Sequence, residues 1–178
     1  MNSLLYPPDK LQIADDACNY CHFDTTLIQV EHTVTEQVTG LDIVQSTILI
    51  AGGASLEDIG LVQEKIIPVG VAMQCRITTE DPARGFAPDT GIINVSRHSM
   101  GVGIRIDGYS YDGMLVQPFF DSLIVKYTAT HKDWDGVIRR MRRALRENHI
   151  RGVKTNIPFL LNGKKQFLIS FFYSLRRL

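Results

Sequence analysis

Arg76 is the side chain best suited to binding or catalysis. It lies in residues 71–78, where apolar and polar residues alternate. This alternation predicts a strand with one face in the core and Arg76 on the other face. A guanidinium held on a strand presents its donors in a fixed fork, which suits a carboxylate, a bicarbonate ion or a planar amide. An arginine on a solvated or salt-bridged strand face gives the same pattern. The residues alone leave both interpretations open.

A second motif, Cys18-Asn19-Tyr20-Cys21-His22, has the spacing of a c-type haem attachment site and of half a zinc site. Haem attachment requires export to an oxidising compartment, and the opening residues have no signal-peptide pattern. A zinc site needs a second pair of ligands, and the remaining cysteine is Cys75. Chance spacing in an irregular segment is therefore the favoured interpretation, and no metal ligand is predicted.

Composition limits the classes of protein that fit the sequence. The 178 residues suffice for one domain of ordinary size, with or without an appended segment. Nineteen basic and nineteen acidic side chains cancel, so no net field draws the chain to nucleic acid or to an anionic membrane. No apolar run is long enough to span a membrane. These features predict a cytoplasmic protein with neither a nucleic acid nor a membrane as partner.

Periodicity predicts an α+β fold. A short strand is expected at 27–31, and four longer ones are expected at 69–78, 92–97, 101–107 and 122–130. A capping box at Thr33–Glu36, a stop at Gly40 and a cap at Asp42 predict two helices within 33–51. A further helix is expected from Asp133 to about His149. The four longer strands are expected to form an antiparallel sheet covered by that last helix, with the earlier helices to one side.

The helix after Asp133 has an acidic start and five arginines in its later turns, which complement the helix dipole. Those arginines are Arg139, Arg140, Arg142, Arg143 and Arg146. A row of arginines is compatible with nucleic-acid binding, but the zero net charge favours a solvated helix face.

Four separate motifs carry a resemblance to a known family. They are QVEHTVTE at 29–36, TTEDPARGFAPDTG at 78–91, FDSLIVK at 120–126 and RGVKTNIPFL at 151–160. In this order they resemble the biotin carboxylase region of pyruvate carboxylases, over roughly residues 28–160. The sequence at 78–91 resembles that family more than it resembles acetyl-CoA or propionyl-CoA carboxylases.

The resemblance implies the end of an ATP-grasp domain followed by a biotin carboxylase C-terminal domain. The implied chemistry is the ATP- and bicarbonate-dependent carboxylation of biotin, from which the carboxyl group passes to pyruvate to give oxaloacetate. Biotin and magnesium ATP are the implied cofactors. Bicarbonate and a biotinyl carrier domain are the implied partners, and a homo-oligomer or association with a full-length carboxylase is expected.

The same resemblance implies roles for individual residues. Glu31 matches the general base that deprotonates bicarbonate, and Gln29 and Val30 match its neighbours that bind the ion. Arg76 matches the arginine that holds bicarbonate and the biotin enolate. Arg105 matches a position near the dimer interface of the family. These roles agree with the chemistry of the side chains, since a carboxylate accepts a proton and a fixed cation stabilises developing negative charge.

The sequence also departs from the family. Where the family has a metal-binding glutamate and asparagine and an active-site arginine, this chain has Phe23, Thr25 and Leu27. These groups are therefore missing unless Asp24 partly substitutes for them. The phosphate-binding glycine loop, the carboxyltransferase domain and the biotinyl-lysine motif are also missing from the sequence. Loss of the metal ligands should nearly abolish phosphoryl transfer. The sequence is therefore expected to be a truncated gene product or a misassembled gene model.

The predicted organisation has four parts. These are a divergent segment at 1–27, a remnant of the ATP-grasp domain at 28–64, the biotin carboxylase C-terminal domain at 65–165 and a divergent tail at 166–178. Two functional hypotheses follow: half of a carboxylase active site completed by another chain, or a catalytically silent domain that associates with an intact carboxylase. Without the rest of the ATP-grasp domain, the apolar surface of 23–52 should favour self-association.

Overall fold

In the computed structural model, residues 28–162 are described, with the backbone alone for residues 28–31. The helices are α1 (Ile28–Thr39), α2 (Ile43–Ala51) and α3 (Trp134–Glu147), with 3₁₀ turns at Gln63–Lys65 and Pro82–Arg84. The strands are β1 (Val71–Thr78), β2 (Glu80–Asp81), β3 (Ala87–Pro88), β4 (Gly91–Ile92), β5 (Val95–Arg97), β6 (Ile104–Gly108), β7 (Leu115–Val116), β8 (Leu123–His131) and β9 (His149–Arg151). Residues 157–162 are helical.

The central element is a three-stranded antiparallel sheet in the order β1-β8-β6. Its apolar face packs on α3 and forms the core, because alternate side chains of each strand point to the same side. Cys75, Tyr127 and Met141 are almost wholly buried between sheet and helix. Asp133 caps α3 by accepting a hydrogen bond from the Gly136 amide at 2.7 Å. The helix predicted from Asp133 is therefore confirmed, and so is the α+β class.

The predicted strand at 92–97 does not join this sheet. The chain breaks there into β4 and β5, which pair with β7 and β9 in separate two-stranded ladders. Ile93 between them is fully buried, and the Asn94 amide donates to the Arg151 carbonyl at 2.8 Å. The two short ladders satisfy the backbone groups of this stretch at the side of the domain. Three of the four longer predicted strands form the main sheet.

The prediction for residues 27–39 was wrong in detail. The backbone from Ile28 to Thr39 is one α-helix, so Gln29, Val30 and Glu31 lie on a helix and not on a strand. Five residues of alternation are too few to distinguish a strand period from a helix period. Thr33 lies inside this helix, and its buried hydroxyl contacts the sheet instead of capping. Gly40 ends the helix with a left-handed φ of 73°, as predicted.

Helix α2 begins as predicted, since the Asp42 carboxylate accepts a hydrogen bond from the Gln45 amide at 2.7 Å. None of its residues is buried. Its apolar side chains Val44, Ile48, Leu49 and Ile50 are between 44 and 66% exposed. The exposed apolar surface expected around this helix is therefore present in the part that the structure describes.

No helix within residues 28–162 is both long enough and apolar enough to cross a membrane.

Tyr127 provides a test of the packing of β8. Burial raises the pKa of its phenol from 10.0 to about 12. The unfolded chain therefore loses this proton before the folded chain does, and stability should fall as pH rises from 10 towards 12, by about 1.4 kcal/mol per pH unit. Tyr127→Phe should remove that contribution to the slope of unfolding free energy against pH, measured by urea denaturation.

The control is Tyr111→Phe, which removes a hydroxyl from a side chain that is 62% exposed. This variant should keep the wild-type slope of unfolding free energy against pH. An equal alkaline slope in wild type and Tyr127→Phe would contradict the burial argument.

Candidate functional site

The antiparallel register places charged side chains in one row across the sheet. Arg76 on β1 lies opposite Lys126 on β8, and Lys126 lies opposite Asp107 on β6. The neighbouring row consists of Gln74, Thr128 and Arg105. Directly opposed residues project from the same face of a sheet. These six side chains form what we call the polar face, on the side of the sheet opposite α3.

Arg76 is held firmly but only weakly neutralised. Its side chain is 14% exposed, and its Nη2 lies 3.5 Å from Oδ2 of Asp121, whose own side chain is 62% exposed. The Arg76 Nε is buried and has no hydrogen-bond acceptor among the described residues. Because this contact is long and the Asp121 carboxylate is exposed to water, the pair neutralises the guanidinium only in part and leaves charge for a small anion.

Lys126 adds a second cation beside Arg76. Burial lowers the pKa of its ammonium, and the nearby Arg105 and Arg76 charges act in the same direction, while Asp107 and Glu36 oppose them. Two cations on adjacent strands repel each other, and a bound anion would relieve that repulsion. The row therefore has the electrostatic character of an anion site.

Helix α1 lies over the polar face. The Thr128 hydroxyl donates to Thr33 Oγ1 at 2.8 Å, and Thr33 in turn donates to Gln74 Oε1 at 2.5 Å. Thr33 and Thr128 are fully buried, so each hydroxyl needs a partner to offset the loss of water. This chain of hydrogen bonds fixes α1 against both β1 and β8.

A tight ion-pair cluster fixes the other side of α1. Arg105 makes a bidentate contact with Asp107, with Nε and Nη2 each 2.9 Å from a carboxylate oxygen, and its Nη1 lies 2.6 Å from Glu36 Oε2. The hydrogen bonds that Arg105 donates to the Asp107 carboxylate are the main reason that the pKa of Arg105 is raised. The second oxygen of Glu36 accepts from the Ile43 amide at 2.9 Å. Glu36 therefore joins the sheet, α1 and the start of α2.

The end of β1 is braced by Asn156. Its side-chain Nδ2 donates to the Arg76 carbonyl at 3.0 Å, and its Oδ1 accepts from the Thr78 amide at 3.1 Å. Glu80 accepts from the hydroxyls of Thr78 and Ser122 at 3.0 and 2.7 Å. Three of the sequence motifs, at 78–91, 120–126 and 151–160, thus meet around the backbone that carries Arg76.

The structure brings two of the predicted site residues onto one surface, since Arg76 and Arg105 both belong to the polar face. The backbone of Gln29, Val30 and Glu31 lies in α1, the helix that covers this face. Their side chains lie outside the described part of the structure, so their predicted roles remain predictions. Arg105 makes its described contacts within the chain, and its predicted position near a dimer interface also remains a prediction.

Sequence reasoning missed several contacts of the polar face. Lys126 interrupts an apolar run, which was the available signal for its projection towards the opposite side of the sheet. Alternation places Asp107 on the same strand face as Arg105, but it does not indicate the bidentate contact between them. Glu36 was assigned to a capping box, because nothing local in the sequence indicates a partner on a distant strand.

The remaining chemical motifs do not extend this site. Cys75 is buried in the core. Residues 18–22, with the haem-like spacing, and positions 23–27, where the family's metal ligands would be, lie outside the described residues. Within the described part of the chain, no three His, Cys, Asp or Glu side chains converge as metal ligands.

Sheet, covering helices and polar face together define the class of protein. Residues 74–166 match the biotin carboxylase C-terminal domain, and the chain belongs to that family. Residues 16–59 match the ATP-binding domain of the carbamoyl-phosphate synthase L chain. The resemblance proposed from the motifs is confirmed.

The curated relatives are pyruvate carboxylases. The enzyme of Pichia angusta is 56% identical over 135 residues, which are 75% of this chain and 12% of the relative. Pyruvate carboxylase 1 of Caenorhabditis elegans is 50% identical over 156 residues, which are 86% of this chain and 13% of the relative. The chain thus spans about an eighth of the length of these relatives.

Solved structures give the same result. The complete pyruvate carboxylase of Rhizobium etli is 50% identical with a TM-score of 0.71, over 75% of this chain and 14% of that one. The biotin carboxylase domain of Hydrogenobacter thermophilus 2-oxoglutarate carboxylase is 44% identical with a TM-score of 0.75, over 79% of this chain and 30% of that one.

Glu36 tests whether the ion-pair cluster fixes α1 to the sheet. Glu36→Gln removes the charge from a side chain that is 10% exposed and leaves Arg105 with Asp107 alone. We expect a loss of unfolding free energy of about 1–3 kcal/mol, measured by urea denaturation. Glu57→Gln changes the same group at an exposed position outside the cluster and should cost far less. Equal losses in the two variants would refute the role of the cluster.

Proposed function

We propose that the polar face is the bicarbonate- and biotin-facing half of a biotin carboxylase active site. The observation that carries the proposal is the position of Arg76, a guanidinium held beside Lys126 and weakly neutralised by Asp121. In this role Arg76 binds the planar anion through its fork of donors, and Lys126 contributes positive charge nearby. The Hydrogenobacter thermophilus domain was solved in complex with magnesium ADP and bicarbonate, which supports this chemistry for the family.

In this proposal helix α1 supplies the general base and its neighbours that bind bicarbonate. Glu31 would accept the bicarbonate proton, and Gln29 and Val30 would bind the ion beside it. The hydrogen bonds of Thr33 and the ion pair of Glu36 with Arg105 are the contacts that would hold α1, and with it Glu31, over the face that carries Arg76. Thr33, Glu36 and Arg105 are thus positioning residues in this proposal.

Magnesium ATP, when bound, supplies the phosphoryl group that activates bicarbonate, and biotin supplies the nitrogen that receives the carboxyl group. The described residues do not provide a metal-ligand set. We propose that a second chain supplies the nucleotide site. In this arrangement residues 65–165 contribute the anion site, and residues 28–64 contribute the helix with the base.

The second candidate is a catalytically silent domain that associates with an intact carboxylase. The exposed apolar side of α2 favours association, because such a surface is stabilised by a partner. A second copy of the chain or a full-length carboxylase is the proposed partner. The cytosol remains the proposed compartment, although the relatives from rat and mouse are named as mitochondrial.

Bicarbonate binding tests the anion site without requiring turnover. We expect ¹³C-bicarbonate to show saturable line broadening with the wild-type chain. Arg76→Gln should weaken the binding about tenfold or more, because it removes a charged donor pair. Arg97→Gln removes an exposed arginine from β5 and should leave the broadening unchanged. Equal broadening by wild type and Arg76→Gln would exclude this site.

A bicarbonate-dependent ATPase assay with free biotin separates the two candidate functions. The chain alone should give no turnover under either candidate, because the first requires a second chain for the nucleotide and the second has no catalytic role. Addition of a carboxylase chain with an intact ATP-binding domain and an inactivated C-terminal domain should restore turnover under the first candidate and not under the second. Turnover by this chain alone would refute both. Light scattering and co-purification would measure the association directly.

A further inference from the structure

We propose that the outer face of α3 carries a second anion site, which takes a small ligand with two or more phosphoryl groups. The site is a shallow groove of about 350 Å³ lined by Arg139, Arg142, Arg143, Arg146 and Glu147. It lies on the helix that covers the apolar face of the sheet, so it is distinct from the polar face and independent of the proposed carboxylase function.

The spacing of the four arginines places them along one side of the helix. Positions 139, 142, 143 and 146 follow the i, i+3, i+4, i+7 pattern, so their side chains form two pairs about one helical turn, roughly 5.4 Å, apart. The outer oxygens on the two phosphoryl groups of a diphosphate span a comparable distance. The pairing therefore suits a di- or triphosphate better than a single anion.

The charge in the groove is unbalanced. Four guanidinium groups face one carboxylate, which leaves a local charge of +3 in a chain of zero net charge. Arg143 pairs with Glu147 at 3.2 Å. Within residues 32–162, Arg139, Arg142 and Arg146 have no carboxylate within 4.0 Å, and the buried Nε of Arg142 has no acceptor. Phosphoryl groups carry several acceptor oxygens and more than one charge, so they match this donor set.

The groove is built on a rigid base. The opposite side of α3 is locked in the core through Val137, Met141 and Leu145, which are at most 1% exposed. The Arg143 guanidinium packs against Gly101, where a Cβ would lie 3.4 Å from Nη2. Ser99 ties the same loop to the helix by donating to the Ala144 carbonyl at 2.8 Å. Guanidinium groups on a fixed helix lose less conformational entropy on binding than groups on a mobile loop.

A small ligand is favoured over nucleic acid by the size and isolation of the site. A groove of about 350 Å³ is within the range of small-molecule sites, and the chain as a whole has no excess positive charge to follow a long phosphate backbone. Nucleic acid is accordingly an outcome of the test and not the proposal.

The experiment is isothermal titration calorimetry of the full 178-residue chain with sodium tripolyphosphate and with pyrophosphate. We expect saturable binding at one site, weaker at higher ionic strength because the contacts are between charges. The double variant Arg142→Gln with Arg146→Gln should lose about tenfold or more in affinity. Arg84→Gln with Arg97→Gln removes the same charge at exposed positions outside α3 and should change affinity by less than about twofold.

A further variant gives an effect in the opposite direction. Glu147→Gln removes the single carboxylate of the groove and should raise the affinity several-fold, a gain that misfolding cannot produce. Thermal melting without ligand checks that each variant is folded. Absence of saturable binding, equal losses in the two double variants, or tighter binding of single-stranded RNA than of tripolyphosphate would each overturn the proposal.

Discussion

The pairing of β1, β8 and β6 is the constraint on which the rest of the described structure depends. Because the strands are antiparallel and in a fixed register, the residues of one apolar face are directed into a core with α3. The same register necessarily directs Arg76, Lys126 and Asp107 to the other face. A shift of one residue would exchange the two faces and place the charged row in the core. The stability of the core thus fixes the position of the polar face.

Charge on the polar face is distributed unevenly between its two sides. Next to β6, the Arg105 guanidinium is neutralised by two carboxylates, Glu36 and Asp107, in short contacts. Next to β1, Arg76 has one long contact with an exposed carboxylate among the residues that the structure describes. The β6 side therefore serves mainly to hold α1 in place, whereas the β1 side keeps a weakly paired guanidinium, the feature on which the proposed anion site depends. One sheet face thus combines a structural ion-pair cluster with a weakly paired cation.

The sequence predicted the features that depend on the local spacing of apolar residues and on the family motifs. The alternation at 71–78 located β1, the spacing after Asp133 located α3, and the ordered motifs identified the family. It failed at residues 27–39, because short alternation does not separate strand from helix and because Glu36 pairs with Arg105 across 69 residues of sequence. The role of Lys126 was also missed, since it follows from register between strands, which no local pattern encodes. The roles of Gln29, Val30 and Glu31 in the site remain predictions.

The brace on β1 has a consequence for the order in which the domain can form. Asn156 holds the Arg76 carbonyl and the Thr78 amide from 80 and 78 positions further along the chain. Closing so long a loop costs conformational entropy before any contact repays it, and contacts of this range slow folding. A nascent chain that has emerged only as far as β8 can pair its strands, yet the end of β1 is still unsecured. The arginine at the proposed site is therefore among the last features of the domain to become fixed during synthesis.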